Sequence, residues 1–249
     1  MSIASPPSAP AEAAARPSLS LLMPGLNESA NVERAVRRAL AALERHTVGF
    51  EIIIVDDGSS DDTGAIAERL AAEDARVRVL HNERNLNYGI SLARGIQAAR
   101  CDWILHDGMD LPLAPEDLPL FGAHFRDADV IVVRRSDRGA HSPWRKLTSW
   151  VNNLLLRVLF TPRVRDLNFV QFYRRSWVQG VRITSTSPAF VTPELILRAE
   201  RGGRVVREVE AEFRRREAGR AHFGRPRDIA WTLRDMLRLR WLTWWHGWN

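Results

Sequence analysis

Short apolar runs alternate with amphipathic stretches along the first half of the chain. Leu19, Leu21, Leu22 and Met23 form a run stopped by Pro24-Gly25, which predicts a buried strand. Residues 30–45 follow, with Val32, Ala35, Val36, Leu40 and Leu43 at helical spacing. The β-branched run 50–55 is bounded by Asp56-Asp57-Gly58 and predicts a second strand. Helices are expected at 62–72 and 90–99, and strands at 77–80, 103–105 and 130–133. Strands alternating with helices of this length predict an α/β fold, a mostly parallel sheet flanked by helices on both faces. Ligands of such sheets bind beyond the carboxyl ends of the strands. Those ends read Pro24-Gly25-Leu26-Asn27-Glu28, Asp56-Asp57-Gly58-Ser59 and His106-Asp107-Gly108-Met109-Asp110. All three are polar or acidic, so they are expected to line one crevice.

After about Gly139 the rhythm changes. Residues 145–160 predict a helix with Leu147, Trp150, Val151, Leu154, Leu155, Val158 and Leu159 on one stripe. A strand is expected at 169–173, a helix at 193–201 and an exposed strand at 204–214. The last helix, 227–248, carries Ile229, Leu233, Met236, Leu237, Trp241, Trp244, Trp245 and Trp248 as its apolar positions. Residues 1–17 are rich in Ala, Pro and Ser and read as a disordered tail. The organisation is then a tail at 1–17, one domain at 18–225 and an amphipathic helix at 226–249.

Composition narrows the class. With 45% apolar and 27% charged residues, the 249-residue chain reads as a soluble globular protein. Cys101 is the single cysteine, which excludes an internal disulfide, a Cys-rich zinc module and an iron–sulfur cluster. The net charge is +6, and Lys146 is the only lysine, so the basic surface is arginine. Arginine favours phosphorylated ligands or anionic membrane, although codon bias produces the same excess. No apolar run is long enough to span a bilayer.

Several carboxylates in one crevice repel one another unless a cation or a donor-rich ligand neutralises them. Asp107 and Asp110 follow a buried strand and suit a hard divalent cation, Mg²⁺ or Mn²⁺, completed by substrate phosphates. Taken singly, each aspartate reads equally as a helix or turn cap, as do Asp61 and Asp62. The chain contains no GxGxxG and no GxxxxGK[ST] motif, which argues against a dinucleotide-binding Rossmann site or a P-loop. The turn Asn85-Leu86-Asn87-Tyr88-Gly89 opens the third helix; its N–H groups either meet a phosphate or simply close the turn.

These residues carry a family resemblance. LSLLMPGLNESANV, EIIIVDDGSSDDT, NERNLNYGISLARGIQAA, DWILHDGMDLPLAPEDLP, VIVVRRSDRG, DLNFVQFYRR and REVEAEFRRREAGRAHFG occur in an order that resembles family 2 glycosyltransferases of the GT-A (Rossmann-like) fold. Within that family the series is similar to dolichyl-phosphate mannosyltransferases and undecaprenyl-phosphate glycosyltransferases. The resemblance implies that Pro24, Asn27, Glu28, Asp56 and Asp57 hold the base and ribose of a nucleotide-sugar, with Gly89 in the glycine turn beside them. It implies that Asp110 is the second carboxylate of a metal-binding Asp-x-Asp pair. The first falls on Gly108, so Asp107 is the substitute ligand. Arg135 and Arg145 match positions implied to meet the acceptor phosphate, and Arg216 matches a late R-x-x-G segment. Two further departures are Gln171, where the pattern has a cation, and His222, where it has a lysine.

Five of the nine tryptophans, Trp231, Trp241, Trp244, Trp245 and Trp248, lie in the last helix among Arg234, Arg238 and Arg240. Tryptophan favours the headgroup boundary and arginine meets lipid phosphates, which points to membrane-surface binding; packing on the domain or a dimer contact are the alternatives. The acidic crevice argues against nucleic acid. The expectation is an inverting, metal-dependent transferase that moves a sugar from a nucleotide-sugar to a polyprenyl phosphate, peripheral on the cytoplasmic face of the inner membrane. The rival readings are a transferase acting on a saccharide hydroxyl, with Asp117 or Glu116 as base, and a catalytically weakened scaffold.

Overall fold

The computed structural model describes residues 15–136, 143–212 and 226–248. Seven strands form one sheet: β1 (Ser18–Gly25), β2 (Gly49–Asp56), β3 (Val77–His81), β4 (Trp103–His106), β5 (Val130–Arg135), β6 (Gln171–Arg174) and β7 (Val206–Ala211). Their order is β3-β2-β1-β4-β6-β5-β7. All adjacent pairs are parallel except those of β6, which runs antiparallel to both β4 and β5. Eight helices accompany the sheet among the described residues: α1 (Val32–His46), α2 (Thr63–Glu73), α3 (Tyr88–Ala98), α4 (His124–Asp127), α5 (Pro143–Phe160), α6 (Arg175–Val178), α7 (Val191–Arg201) and α8 (Pro226–His246). A 3-10 helix spans Pro115–Phe121.

The alternation of side chains along each strand builds two cores. Leu19, Leu21, Met23, Ile52 and Ile54 point to one face, where α1, α2 and the 3-10 helix cover them. Leu22, Ile53, Val55 and Ile104 point to the other, packed by residues of α3, α5, α7 and α8. Because both faces are buried, β1 and β2 are near-continuous apolar runs. Register then brings the strand ends level. Gly25 pairs with Asp56, Asp56 with His81, and Leu22 with His106. Gln171 bridges His106 and Val132. The carboxyl ends of β1 to β5 therefore share one edge of the sheet.

The strands and helices of the alternating half lie where the sequence placed them, within a few residues. The antiparallel direction of β6 and the 3-10 helix were not predicted. Arg16 and Pro17, assigned to the tail, lie against the domain: the Arg16 guanidinium donates to the Glu44 carbonyl at 3.2 Å and Val48 N–H donates to the Pro17 carbonyl at 3.0 Å. The remaining tail residues, 1–14, fall outside the described residues.

The two long helices of the second half turn most of their apolar stripes outward, as a surface-binding role requires. In α8 the buried positions are Thr232, Asp235, Met236, Leu239 and Thr243. Ile229, Leu233, Leu237, Trp241, Trp244 and Trp245 face outward, recurring about every four residues. In α5, Leu156 and Phe160 are buried, whereas Trp150, Val151, Leu154 and Val158 are exposed. The two helices touch each other. Polar bonds dock α8: the buried Asp235 carboxylate accepts the N–H groups of Thr186 and Ser187 at 2.9 and 2.8 Å, and Trp231 Nε1 donates to Thr186 Oγ1 at 3.1 Å.

Candidate active site

The first two strand ends are knitted together. Asn27 adopts φ 55°, a left-handed turn that asparagine tolerates better than most residues. Its N–H donates to Ser59 Oγ at 2.9 Å, and its Oδ1 accepts Ser60 N–H at 2.8 Å. Glu28 is buried; its N–H donates to Thr63 Oγ1 at 2.8 Å and its carboxylate accepts Asn31 Nδ2 at 2.7 Å. Pro24 is a buried strand residue opposite Val55. Asp56 accepts Ser59 N–H at 3.0 Å and meets His81 Nδ1 at 3.1 Å. Asp57 accepts Asn82 Nδ2 at 2.6 Å and Leu86 N–H at 2.9 Å. Thus the residues matched to base and ribose first brace the turns around the crevice. Asp61 caps the start of α2 by accepting Thr63 N–H at 3.0 Å, the capping role weighed for it. Beyond the end of β3, His81, Glu83, Arg84, Leu86 and Arg94 line a cleft of about 620 Å³.

The end of β4 carries the two candidate metal ligands. Asp107 is 1% exposed, and its N–H donates to the Leu22 carbonyl at 2.9 Å. Its Oδ1 accepts Gly108 N–H at 2.8 Å, while Oδ2 is buried with no hydrogen-bond partner. Burial pushes this carboxyl well above the usual range, and the neighbouring Asp110 charge adds to the rise. Asp110 lies over Gly108: a Cβ at 108 would overlap Asp110 Oδ1. An aspartate at the position where the family pattern puts its first carboxylate would displace the second. The two carboxylates fit a divalent cation. An orphaned, desolvated carboxylate oxygen beside a second carboxylate is the donor set of a hard ion that draws its other ligands from phosphates and water. No group of three or more potential ligands occurs among the described residues.

Beneath Asp107 lies a buried polar array. His106 Nε2 donates to Gln171 Oε1 at 2.9 Å, which leaves Nδ1 to accept the Tyr88 hydroxyl at 3.2 Å. Gln171 Oε1 also accepts the Tyr173 hydroxyl at 2.6 Å, and its Nε2 donates to the Leu167 carbonyl at 3.2 Å. Burial lowers the His106 pKa to about 4, so the ring is neutral. Burial raises Tyr88, and the charges of Asp107 and Asp110 raise it further. Gln171, where the family pattern has a cation, is fully buried.

The basic candidates separate. Arg135 ends β5 and forms a two-pronged pair with Asp166, at 2.8 and 3.1 Å, over the Phe169 ring. Arg145 falls in the first turn of α5, where the backbone alone is described, and Arg216 and His222 lie outside the described residues. The space a side chain at Gly89 would need is filled by Val191, Ser185 and Thr186, so packing of α3 explains this glycine. Glu116, weighed as a base, is held by Arg38 at 2.8 and 2.9 Å. The sequence reading did not single out Tyr88, His81 or Asn82. For His106 a signal existed: a histidine closing an apolar strand run must be buried and needs partners.

Comparison with known proteins agrees with this geometry. Residues 20–185 match the glycosyl transferase family 2. Glycosyltransferase AglD of Haloferax volcanii is 30% identical over 94% of this chain and 38% of its own length. A dodecaprenyl-phosphate galacturonate synthase of Rhizobium johnstonii is 29% identical over 70% of this chain and 52% of its own. The chain thus spans about half or less of the length of these relatives. Glucosyl-3-phosphoglycerate synthase of Mycobacterium tuberculosis, solved with Mn²⁺, UDP and phosphoglyceric acid, superposes with a TM-score of 0.66 at 20% identity, covering 90% of this chain and 78% of that one. The same enzyme has been solved with Mg²⁺ and UDP. That likeness establishes the GT-A type of sheet. The chain belongs to the glycosyl transferase family 2.

Proposed function

We propose that this protein transfers a sugar from a nucleotide-sugar to a polyprenyl phosphate at a membrane surface, using Mg²⁺ or Mn²⁺. The observation that carries the reading is the pairing of a carboxylate-lined strand edge with two helices that turn tryptophan and leucine outward. Lipid-phosphate relatives support the acceptor class. On this reading Asp56, Asp57 and Asn27 shape the turns that receive the nucleoside, next to the cleft at His81 and Arg94. Asp107 and Asp110 would hold the cation. When bound, it neutralises charge on the diphosphate leaving group as a Lewis acid. A polyprenyl phosphate is already an anion, so the chain needs to orient it more than to deprotonate it. Arg135, held by Asp166 at the end of β5, would on this reading meet the acceptor phosphate and offset its charge. The bond between Glu116 and Arg38 occupies one of the two carboxylates that could serve a hydroxyl acceptor as base, leaving Asp117 for that alternative.

No helix among the described residues is long and apolar enough to cross a membrane. The outward stripe of α8 supports a peripheral contact, which we place on the cytoplasmic face of the inner membrane. The deciding experiment supplies labelled nucleotide-sugars, Mn²⁺ and either polyprenyl phosphate or soluble saccharides. Label in the lipid fraction supports the reading. Label in saccharide alone refutes the acceptor, and no turnover with any donor supports a scaffold.

A further inference from the structure

The array beneath Asp107 ties three elements together. His106 closes β4, Gln171 opens β6 and Tyr88 opens α3. Each has its polar atoms paired in the interior, and Gln171 alone makes three hydrogen bonds. His106 also stacks on Tyr173 at a centroid distance of 5.8 Å. His106 is the residue before Asp107, so fixing its ring fixes the peptide from which the Asp107 carboxylate leaves the sheet. The Asp107 N–H, bonded to the Leu22 carbonyl, holds the other side of that peptide. The Asp107 carboxylate is buried away from solvent and held by backbone N–H groups, Gly108 on Oδ1 among them, so its direction follows the backbone at the end of β4. A fully paired buried network is rigid, and outer groups of this kind commonly set the affinity of a metal site.

We propose that Gln171, His106 and Tyr88 are positioning residues that aim the Asp107 carboxylate at the cation bound with the nucleotide diphosphate. The inference rests on the metal reading above and adds residues to it. It also explains why the amide at 171 is neutral. A cation there would have no oxygen to accept the His106 N–H and the Tyr173 hydroxyl.

The array is equally a piece of core, so the test must separate aim from stability. Tyr173 supplies the comparison: its hydroxyl donates to the same Gln171 oxygen, but removing it leaves the Tyr88–His106–Gln171 chain intact. Mn²⁺ binding to the full chain would be titrated by electron paramagnetic resonance with UDP present, alongside thermal melting. Gln171→Met should weaken Mn²⁺ binding about 10- to 100-fold, the range seen when outer-sphere partners of a metal site are removed. Tyr88→Phe, which deletes a single hydroxyl, should weaken it less. Tyr173→Phe should lower the melting temperature while keeping Mn²⁺ affinity near wild type. If Gln171→Met does not fold, Tyr88→Phe against Tyr173→Phe carries the same comparison. Wild-type affinity in both Gln171→Met and Tyr88→Phe, or equal weakening in Tyr173→Phe, overturns the positioning role. A wild-type chain that binds UDP but no Mn²⁺ overturns the metal reading beneath it.

Discussion

Replacing Trp241, Trp244 and Trp245 together by alanine should detach the protein from vesicles while leaving its fold intact. Their exposures are 56%, 75% and 64%, so most of each indole already faces solvent. A tryptophan buries up to roughly 250 Å², which leaves about 150 Å² open on each, or about 450 Å² for the three. At about 25 cal/mol per Å², complete transfer out of water would be worth about 11 kcal/mol. An interfacial helix buries only part of its apolar face. A third of that area still gives about 4 kcal/mol, roughly a thousandfold in partitioning. The assay is co-sedimentation with vesicles of anionic and zwitterionic lipid. Wild type should pellet, more strongly with anionic lipid and less as salt rises, because Arg238 and Arg240 are exposed on the same helix. The triple variant should stay in the supernatant at lipid concentrations that pellet wild type. Its melting temperature should move by no more than about 2 °C, since exposed side chains change stability by about 0.5 kcal/mol or less. Equal pelleting of the two proteins, or no pelleting of wild type, refutes the membrane assignment.

Three further outcomes follow from the strand edge. In chelator at pH 8, Asp107→Asn should melt at or above wild type yet lose Mn²⁺ binding. Burial raises the folded-state pKa of Asp107, so wild type loses stability as pH climbs from its unfolded value near 4, and the gap between the two proteins should close toward that pH; a melting curve for Asp107→Asn well below wild type at pH 8 counts against this. Gly108→Ala should fold normally but bind Mn²⁺ more weakly, because the added Cβ takes the place of Asp110 Oδ1; unchanged metal affinity would show that Asp110 is not a ligand. The His81 pKa is raised by its bond to Glu68 and then by Asp56, so it stabilises the fold below about pH 6.5 and loses that contribution as pH rises through the folded value. His81→Asn should therefore cost more melting temperature at pH 5.5 than at pH 9, and a constant cost would contradict the assignment.

What the sequence disclosed follows from which features are local. Strands such as Leu19–Met23 and 50–55 are buried on both faces, and their continuous apolar runs need no partner to be recognised. The acidic ends were legible for the same reason: Asp56 and Asp107 stand where an apolar run stops. The direction of β6 was not legible, since residues 171–174 have the same composition whichever way they run. The outward stripe of α8 was legible as an apolar face edged with tryptophan and arginine, but its docking was not. Periodicity reports that an apolar face exists, not which medium it meets, and the docking of α8 depends on Asp235 finding the N–H groups of Thr186 and Ser187, nearly 50 residues away. The array under Asp107 was hidden by distance as well, with Tyr88 18 residues and Gln171 65 residues from His106.

The departures from the family pattern cease to be independent once the site is seen. Read along the sequence, Gly108 is a lost metal ligand and Gln171 a lost cation, and together they suggest a weakened enzyme. In the structure the space at 108 belongs to Asp110 Oδ1, so the missing side chain is what lets Asp110 lie across the turn. The carboxylate one residue earlier, at 107, then lies close enough for the Asp110 charge to act on it and can complete a pair. Its position directly after His106 buries it and makes its direction depend on the end of β4. Gln171 serves that requirement: its single oxygen accepts from both His106 and Tyr173, which the ammonium or guanidinium of a lysine or arginine has no acceptor to do. On the proposed metal reading, a glycine at 108, an aspartate at 107 and a neutral acceptor at 171 form one consistent solution to holding a cation. Restoring the family's residue at 108 alone should harm the site, because Gly108→Asp sets a new carboxylate against Asp110 without releasing Asp107 from its buried place.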